Sequence, residues 1–455
     1  MLNSYFKYAS SECENTYLFL YLMAKSFIIM NIWGGRKMKK TVALLIVLVM
    51  IFSLSACSNK NTTQSTEGGI AQTETVSNQT QNSTEQTETA TDSAVNDVTL
   101  PKKEIVLDSE DLTLKLKRMC AQYNVAGMAV AVTDGEKIIY NEGFGVDSVD
   151  NPDVPTSKDS VFRIASVSKT FTALVIMRLC EEGVLELDKP IINYIPDIQF
   201  SNPKANDTMT LRHLLTHTGG MPADDYMHAG STDESTMNDV ILETLPTLKL
   251  SSLPGEGKYQ YSTWGYNLIG CVASVVTGKS LSQLVSEYIL DPLDMTATTF
   301  SYEVASNLEQ PLSQPHITSS GKHKVDKLLI NTAFNAGAGL YSNTTDMCKF
   351  ARFFLNGGVS DSGERILSEE YLKAMTSMQV ERSDTSYYGF GVSANLFAGR
   401  YIYGHSGTYY GQNYFCSFIM DPKTGCGVVT LMNTMPTDKN FRMLVPQMIF
   451  NLADQ

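Results

Sequence analysis

Ser166 and Lys169 stand three positions apart in VFRIASVSKTFTALVIMRLCEEG (residues 161–183), a pairing that can make a nucleophile or merely begin a helix. A serine hydroxyl is a poor nucleophile until a neighbouring base takes its proton. On a helix, residues three apart share a face, so the Lys169 amine can approach the Ser166 hydroxyl. Burial among apolar groups or other cations lowers a lysine pKa and leaves part of the amine neutral. Spacing alone does not decide, because S-x-x-K occurs four times: Ser4/Lys7, Ser166/Lys169, Ser201/Lys204 and Ser319/Lys322. The first precedes a leader-like segment, the third is interrupted by Pro203, and the fourth spans a Ser-Ser-Gly turn. Context selects Ser166.

The elements that must position this pair follow from the hydrophobic pattern. Residues 171–180 are apolar except for Thr172 and Arg178, which predicts a helix buried on all sides, and Gly183 supplies its stop. Ser166 then sits at the helix N-terminus, where outward-pointing N–H groups favour negative charge. Upstream, SEDLTLKLKRMCAQYNV carries acids at its start and bases towards its end, as a helix dipole prefers. GMAVAVT and KIIYNEGFG flank Asp134-Gly135 and predict a hairpin. After a helical, loop-rich middle reaching about residue 330, RYIYGHSG, YYGQNYFCSFIM and CGVVTLMN predict strands, the last two joined by DPKTG, and NFRMLVPQMIFNLA closes as a helix. Strands at both ends around a helical middle imply an α+β fold. One antiparallel sheet, built from both ends, is flanked by helices and carries an inserted helical subdomain.

Two further segments follow Ser166 in order. LPGEGKYQYSTWGYNLIG (residues 253–270) carries Tyr261-Ser262-Thr263, and YGHSGTYYG (residues 403–411) carries His405-Ser406-Gly407. With these, the chain from about Ser109 to its end resembles the serine β-lactamase and penicillin-binding family. It looks most like the branch of class C β-lactamases, D-amino-acid peptidases and related esterases, whose motifs run S-x-x-K, Y-x-N, then K-T-G or H-x-G. LRHLLTHTGGMP, AGAGLYSNTTDMCKF and VVTLMNT match accessory segments.

The resemblance implies that Ser166 is acylated and that Lys169 and Tyr261 share proton transfer. It also implies that the N–H groups of Ser166 and Thr408 hold the oxyanion, and that Thr263, His405, Gly407 and Thr408 line the substrate. Which of Lys169 and Tyr261 is the base stays open, since a phenol with its ordinary pKa of about 10 needs nearby cations to ionise. Thr263 replaces the family's asparagine and cannot offer both a carbonyl and an NH2. His405 replaces a lysine and removes a permanent positive charge that would meet a substrate carboxylate; a purely structural histidine is the other reading of that position. No metal or organic cofactor is implied. His213 and His217 have i,i+4 spacing, but Leu214 stands where H-E-x-x-H has its glutamate. GHSGT lacks the second glycine of a nucleophile elbow.

The 455 residues carry a formal charge of −13, which argues against nucleic acid as a partner, since phosphate binding needs a basic face. Residues 38–57, MKKTVALLIVLVMIFSLSAC, combine a basic start, a short apolar run and a Leu-Ser-Ala-Cys ending. They read as a signal peptide with a lipidation site at Cys57. Residues 1–37 precede a complete leader and read as upstream sequence outside the native protein. Residues 58–100 are Ser, Thr, Gln, Asn and Glu-rich with few large apolar groups, so they read as a disordered tether. The hydrolase domain occupies residues 101–455. Together these segments describe an extracytoplasmic protein anchored to the bacterial membrane through Cys57, acting on small molecules or peptidoglycan-type peptides. Six scattered cysteines beyond Cys57 form no C-x-x-C pair, and no disulfide pairing is singled out.

Overall fold

Strand β1 (Gly127–Thr133) is the segment GMAVAVT, and each of its residues is buried. Successive side chains of a strand point to opposite faces, so burial along its whole length means that both faces of its sheet are covered. Ala129 and Ala131 enter one core, while Met128, Val130 and Val132 enter another. Gly135, at φ +86°, turns the chain into β2 (Ile138–Gly145), as the Asp-Gly pair predicts.

The computed structural model describes residues 104–223, 233–328, 330–409, 413–438 and 440–454, all within the unit Val95–Gln455. The upstream segment, the leader with Cys57, and the tether lie outside the described residues. The remaining strands of the main sheet are β3 (Val380–Ser383), β4 (Ser386–Tyr388), β5 (Ser393–Phe397), β6 (Arg400–Tyr409), β7 (Tyr414–Asp421) and β8 (Cys426–Met432). They run in the order β2-β1-β8-β7-β6-β5-β4-β3, each antiparallel to its neighbour. Pairing of β1 with β8 sets Ala129 opposite Leu431 and Ala131 opposite Val429, so the two ends of the chain share one sheet, as expected. Strands β3 to β5 are an addition to the sequence reading. They are short, and β3 is largely exposed, so they give little periodic signal.

Helices that matter to the site are α1 (Ser109–Gln122), α2 (Ser168–Glu181), α3 (Leu211–Leu215), α4 (Thr263–Thr277), α5 (Asn335–Ala338), α6 (Thr344–Leu355) and α7 (Phe441–Ala453). Leu112 and Leu116 of α1 join Val445 and Ile449 of α7 against one face of the sheet. On the other face α6 lies against β1, β7 and β8, where Ala129 and Ala131 leave it room. Phe171 of α2 stacks on Phe350 of α6 with ring centroids 3.9 Å apart. Helix α2 is therefore enclosed between α6 and the helical subdomain, and of its residues 168–180 only Arg178 is not buried. Gly183, at φ +72°, ends it. The six cysteines are unpaired and buried, Cys180 and Cys271 among them.

One ion pair ties the sheet's outer turns together. Arg400, at the start of β6, donates from Nε (2.9 Å) and Nη2 (2.6 Å) to Asp421 at the end of β7, and Asp421 is fully buried. Its Nη2 also reaches Asp454 beyond α7 at 2.7 Å. Removing one partner of a buried pair strands the other charge, at a cost of roughly 3–5 kcal/mol. Arg400→Ala is therefore expected to lower the unfolding free energy by about that amount, measured by urea titration. Arg365→Ala, which breaks an exposed pair with Glu369 (3.6 Å), should stay within about 1 kcal/mol of the parent.

Candidate active site

Chain entry into α2 is not a plain helix start. Phe162–Arg163 pair with Tyr341–Ser342, and a 3-10 turn, Ala165–Val167, then leads into the helix. Ala165 adopts φ +47°, a left-handed conformation that a non-glycine residue rarely takes. Ser168 Oγ holds the turn by donating to the Ala165 carbonyl (2.6 Å) and accepting from Leu340 N–H (3.0 Å). Ser166 is thus presented on a tight turn and is only 7% exposed.

Lys169 is fully buried, and its Nζ donates to three oxygens: Gly337 O at 2.8 Å, Thr263 Oγ1 at 3.0 Å and Ser166 Oγ at 3.3 Å. Each acceptor comes from a different element. Ser166 lies on the turn before α2, Thr263 is the first residue of α4, and Gly337 belongs to α5. Asn267 of α4 accepts from Gly337 N–H at 3.1 Å and so fixes the carbonyl that faces the lysine. Gly337 has to be a glycine, because a Cβ there would lie 2.4 Å from Thr263 Cγ2. Thr263 and Gly337 each accept an N–H group, and a further valence of the amine lies toward Ser166 Oγ. In a neutral amine that valence is a lone pair, which can take the hydroxyl proton.

The Tyr261 ring lies 4.7 Å from Lys169 Nζ and the residue is half-buried. Ser262 caps α4 by accepting from Gly265 N–H at 3.3 Å, which holds the Tyr-Ser-Thr segment in place. From the sheet side, β6 runs against the Ser166 turn. A Cβ on Gly407 would stand 2.7 Å from Ser166 N and 2.5 Å from the Ile164 carbonyl, so only glycine fits. Thr408 follows it on the strand, exposed, in register with Phe415. His405 is buried at 4% exposure with its ring centroid 6.4 Å from Tyr261. The structure therefore brings Ser166, Lys169, Tyr261, Thr263, His405 and Gly407 to one place.

A family model for beta-lactamase matches residues 112–449. This chain belongs to the beta-lactamase family. Protein flp of Staphylococcus aureus (strain MW2) is 26% identical over 310 residues, 68% of this chain and 60% of that protein. The chain thus spans about 60% of the length of this relative. The uncharacterized protein MT1414 of Mycobacterium tuberculosis is 28% identical over 284 residues, covering 57% of this chain and 69% of its own. Among solved structures, the octameric penicillin-binding protein homologue from Pyrococcus abyssi superposes with a TM-score of 0.65 at 24% identity, over 76% of this chain and 78% of that one. A penicillin binding protein from Bacillus halodurans gives 0.61 at 23% identity, over 74% and 98%. Both share the β-lactamase/transpeptidase-like fold.

Four features of this family member escaped the sequence reading. Gly337 and Asn267 hold the lysine; the glycine-rich AGAG was the only signal for the former. Tyr388 of β4, 1% exposed, donates to His405 Nε2 at 3.0 Å, and no pattern marked it. His217 was weighed only as a metal ligand. It packs against Tyr261, Tyr388, Tyr266 and Tyr259 at centroid distances of 4.4, 4.8, 5.1 and 5.5 Å. His213 instead bonds Thr210 Oγ1 at 3.0 Å. Arg382 of β3 lies over the rings of Tyr259 (5.3 Å) and Tyr388 (6.0 Å). It is exposed, donates to Ser393 Oγ at 3.2 Å, and has no ion-pair partner among the described residues.

Burial, with the Lys169 charge next in weight, pushes the His405 pKa down to about 3. The neutral ring donates from Nδ1 to the Ser406 carbonyl (2.8 Å) and accepts at Nε2 from Tyr388. An unfolded histidine near 6.5 binds a proton that the folded one refuses, so this contribution is present above about pH 6.5 and is lost as pH falls towards 3. His217, also depressed by burial, has the same sign. His405→Gln should flatten the acid-side loss of stability by up to about 1.4 kcal/mol per pH unit between pH 6 and 4. Urea midpoints for both proteins across that range provide the check.

Proposed function

We propose that this protein is an extracytoplasmic serine hydrolase working through an acyl-enzyme on Ser166, with D-amino-acid peptides of the peptidoglycan-stem type, or small esters and amides, as substrates. The observation that carries the reading is the Lys169 amine, fully buried, bonded to Thr263 and Gly337, with its Nζ 3.3 Å from Ser166 Oγ. In the acylation step Ser166 Oγ bonds the substrate carbonyl carbon while its proton passes to Lys169. Tyr261 relays a proton to the leaving group, whose bond to that carbon breaks. Water then cleaves the ester by the reverse path. The N–H groups of Ser166 and Thr408 stabilise the oxyanion, a contribution of roughly 10²–10³ in rate for one donor. Action outside the cell rests on the leader-like residues 38–57 and the lipidation site Cys57.

Substrate preference follows from charge. Neutral His405 supplies none, whereas the Arg382 fork lies over the second tyrosine layer of the same wall, free of any carboxylate among the described residues, and suits a substrate anion. This favours carboxylate-bearing acyl donors over neutral esters; efficient β-lactam turnover is the weaker alternative because Thr263 cannot offer both the carbonyl and the NH2 of the family's asparagine.

Intact mass of the purified protein after incubation with a penicillin and with a p-nitrophenyl ester tests the nucleophile. An adduct or ester turnover is expected for the parent and neither for Ser166→Ala. Adduct lifetime then separates a hydrolysed β-lactam from a trapped one. A folded parent that forms no adduct and turns over no ester overturns the reading in favour of a binding protein. For Arg382→Gln, kcat/KM on carboxylate-ended substrates should fall roughly 10-fold or more, while neutral esters are unchanged, since a charged hydrogen bond contributes about 1.5–3 kcal/mol.

A further inference from the structure

We infer that His217 is a positioning residue for Tyr261, clamping the tyrosine from both sides along the chain. The inference rests on the reading above that Tyr261 moves a proton. His217 follows α3 and takes φ +61°, the left-handed conformation in which helices commonly end on glycine. A histidine in that position bears a steric penalty that glycine avoids, so its side chain has to offer something in return.

What it offers is bonding to the two residues that flank Tyr261. The His217 carbonyl accepts from Gln260 N–H at 2.8 Å, and its Nδ1 accepts from Ser262 N–H at 3.1 Å. The left-handed turn brings backbone and ring to the same short segment, bonding the N–H groups of the residues before and after the tyrosine. The imidazole also packs on the Tyr261 ring at 4.4 Å, with the planes 42° apart. Tyr261 is therefore held through the N–H groups of both flanking residues and along its ring, which faces Lys169 Nζ at 4.7 Å.

The same geometry excludes a proton-transfer role for His217 itself. Because Nδ1 accepts, the proton sits on Nε2. That atom is buried among tyrosine rings and has no hydrogen-bond partner among the described residues. One nitrogen is committed to Ser262 and the other is sealed, so neither can exchange a proton with a substrate. An acceptor at the Nδ1 position is the property the site uses.

Asparagine places Oδ1 near Nδ1 and keeps that acceptor, whereas alanine removes it and glutamine moves it outward. Steady-state kinetics of His217→Ala, His217→Gln and His217→Asn on a neutral p-nitrophenyl ester, with Tyr261→Phe and the double variant His217→Ala/Tyr261→Phe, test the inference. We expect kcat to fall roughly 10- to 100-fold in His217→Ala and His217→Gln, the scale of a misplaced catalytic group, with KM within threefold. His217→Asn should recover most of the loss, and the double variant should be no slower than Tyr261→Phe alone. Losses that multiply in the double variant, or an asparagine variant no better than alanine, overturn the inference. If His217→Ala does not fold, the comparison of asparagine with glutamine decides in its place. Tyr261→Phe at the parental rate, with Ser166→Ala inactive, removes the reading of Tyr261 and the inference with it, while leaving the nucleophile intact.

Discussion

An amine buried in the protein interior is the constraint around which this structure is arranged. Lys169 is fully buried, and taking a polar group out of water is costly unless its hydrogen bonds are replaced. Three oxygens replace them, and they arrive from the turn before α2, from the first residue of α4 and from α5. None is a neighbour of another in sequence. The helical subdomain must therefore dock on α2 correctly for the lysine to be satisfied at all. Asn267, which ties α4 to Gly337, belongs to that docking. From the sheet, Gly391 between β4 and β5 also meets α2: its carbonyl accepts from Thr170 Oγ1 at 2.7 Å, and a Cβ there would meet Ala173 at 2.6 Å. Close glycine contacts on two sides of α2 let backbone approach where a side chain would push the lysine's partners away.

The groups around this amine are neutral, and for one reason. A second cation in the same low-dielectric space would repel the first and lose its hydration, so both His217 and His405 are driven to the uncharged form by burial and then by Lys169. Tyr266 and Tyr388 are held protonated by burial as well. Their hydroxyls are used as hydrogen-bond donors, Tyr388 to His405 and Tyr266 to the Leu215 carbonyl at 2.8 Å. The result is a wall of aromatic rings that carries no net charge, with the Arg382 guanidinium at its exposed edge. Such a division separates the proton chemistry proposed for the interior from the anion recognition proposed for the rim.

How much of this could be read from the sequence depended on the range of the interaction. Helix α2 was legible because its apolar run is continuous, and β1, β2 and β6 to β8 because short apolar segments bounded by turns such as Asp134-Gly135 and DPKTG are local signals. The three motif residues were legible through their order and flanks. Strands β3 to β5 were not, since runs of three to five residues are too short to show a period. Thr263 was read as a poor replacement for asparagine at the substrate; the fold turns its hydroxyl to Lys169 within a fully buried residue. His405 was read as the loss of a permanent positive charge or as a structural histidine, and it is buried and held neutral. The difference at Thr263 arises from burial, which a single sequence does not report for one polar residue. His217 was invisible as a clamp because its partners lie more than forty positions away.

Two non-glycine residues at positive φ, Ala165 and His217, lie beside Ser166 and opposite Tyr261. A left-handed residue other than glycine costs roughly 1–2 kcal/mol, so neither conformation persists without compensation. For Ala165 it comes from Ser168, whose Oγ donates to the Ala165 carbonyl and accepts from Leu340 N–H, and from β6 packing against the turn with Gly407. For His217 it comes from the two hydrogen bonds it accepts from the N–H groups of Gln260 and Ser262. Apart from the local Ser168–Ala165 bond, these contacts come from other elements, so the strain holds only while the subdomain and the sheet are both in place. The backbone near the site is therefore determined by tertiary contacts rather than by local preference. A hydroxyl and an amine can then be kept about a hydrogen bond apart, with no freedom for either to turn away.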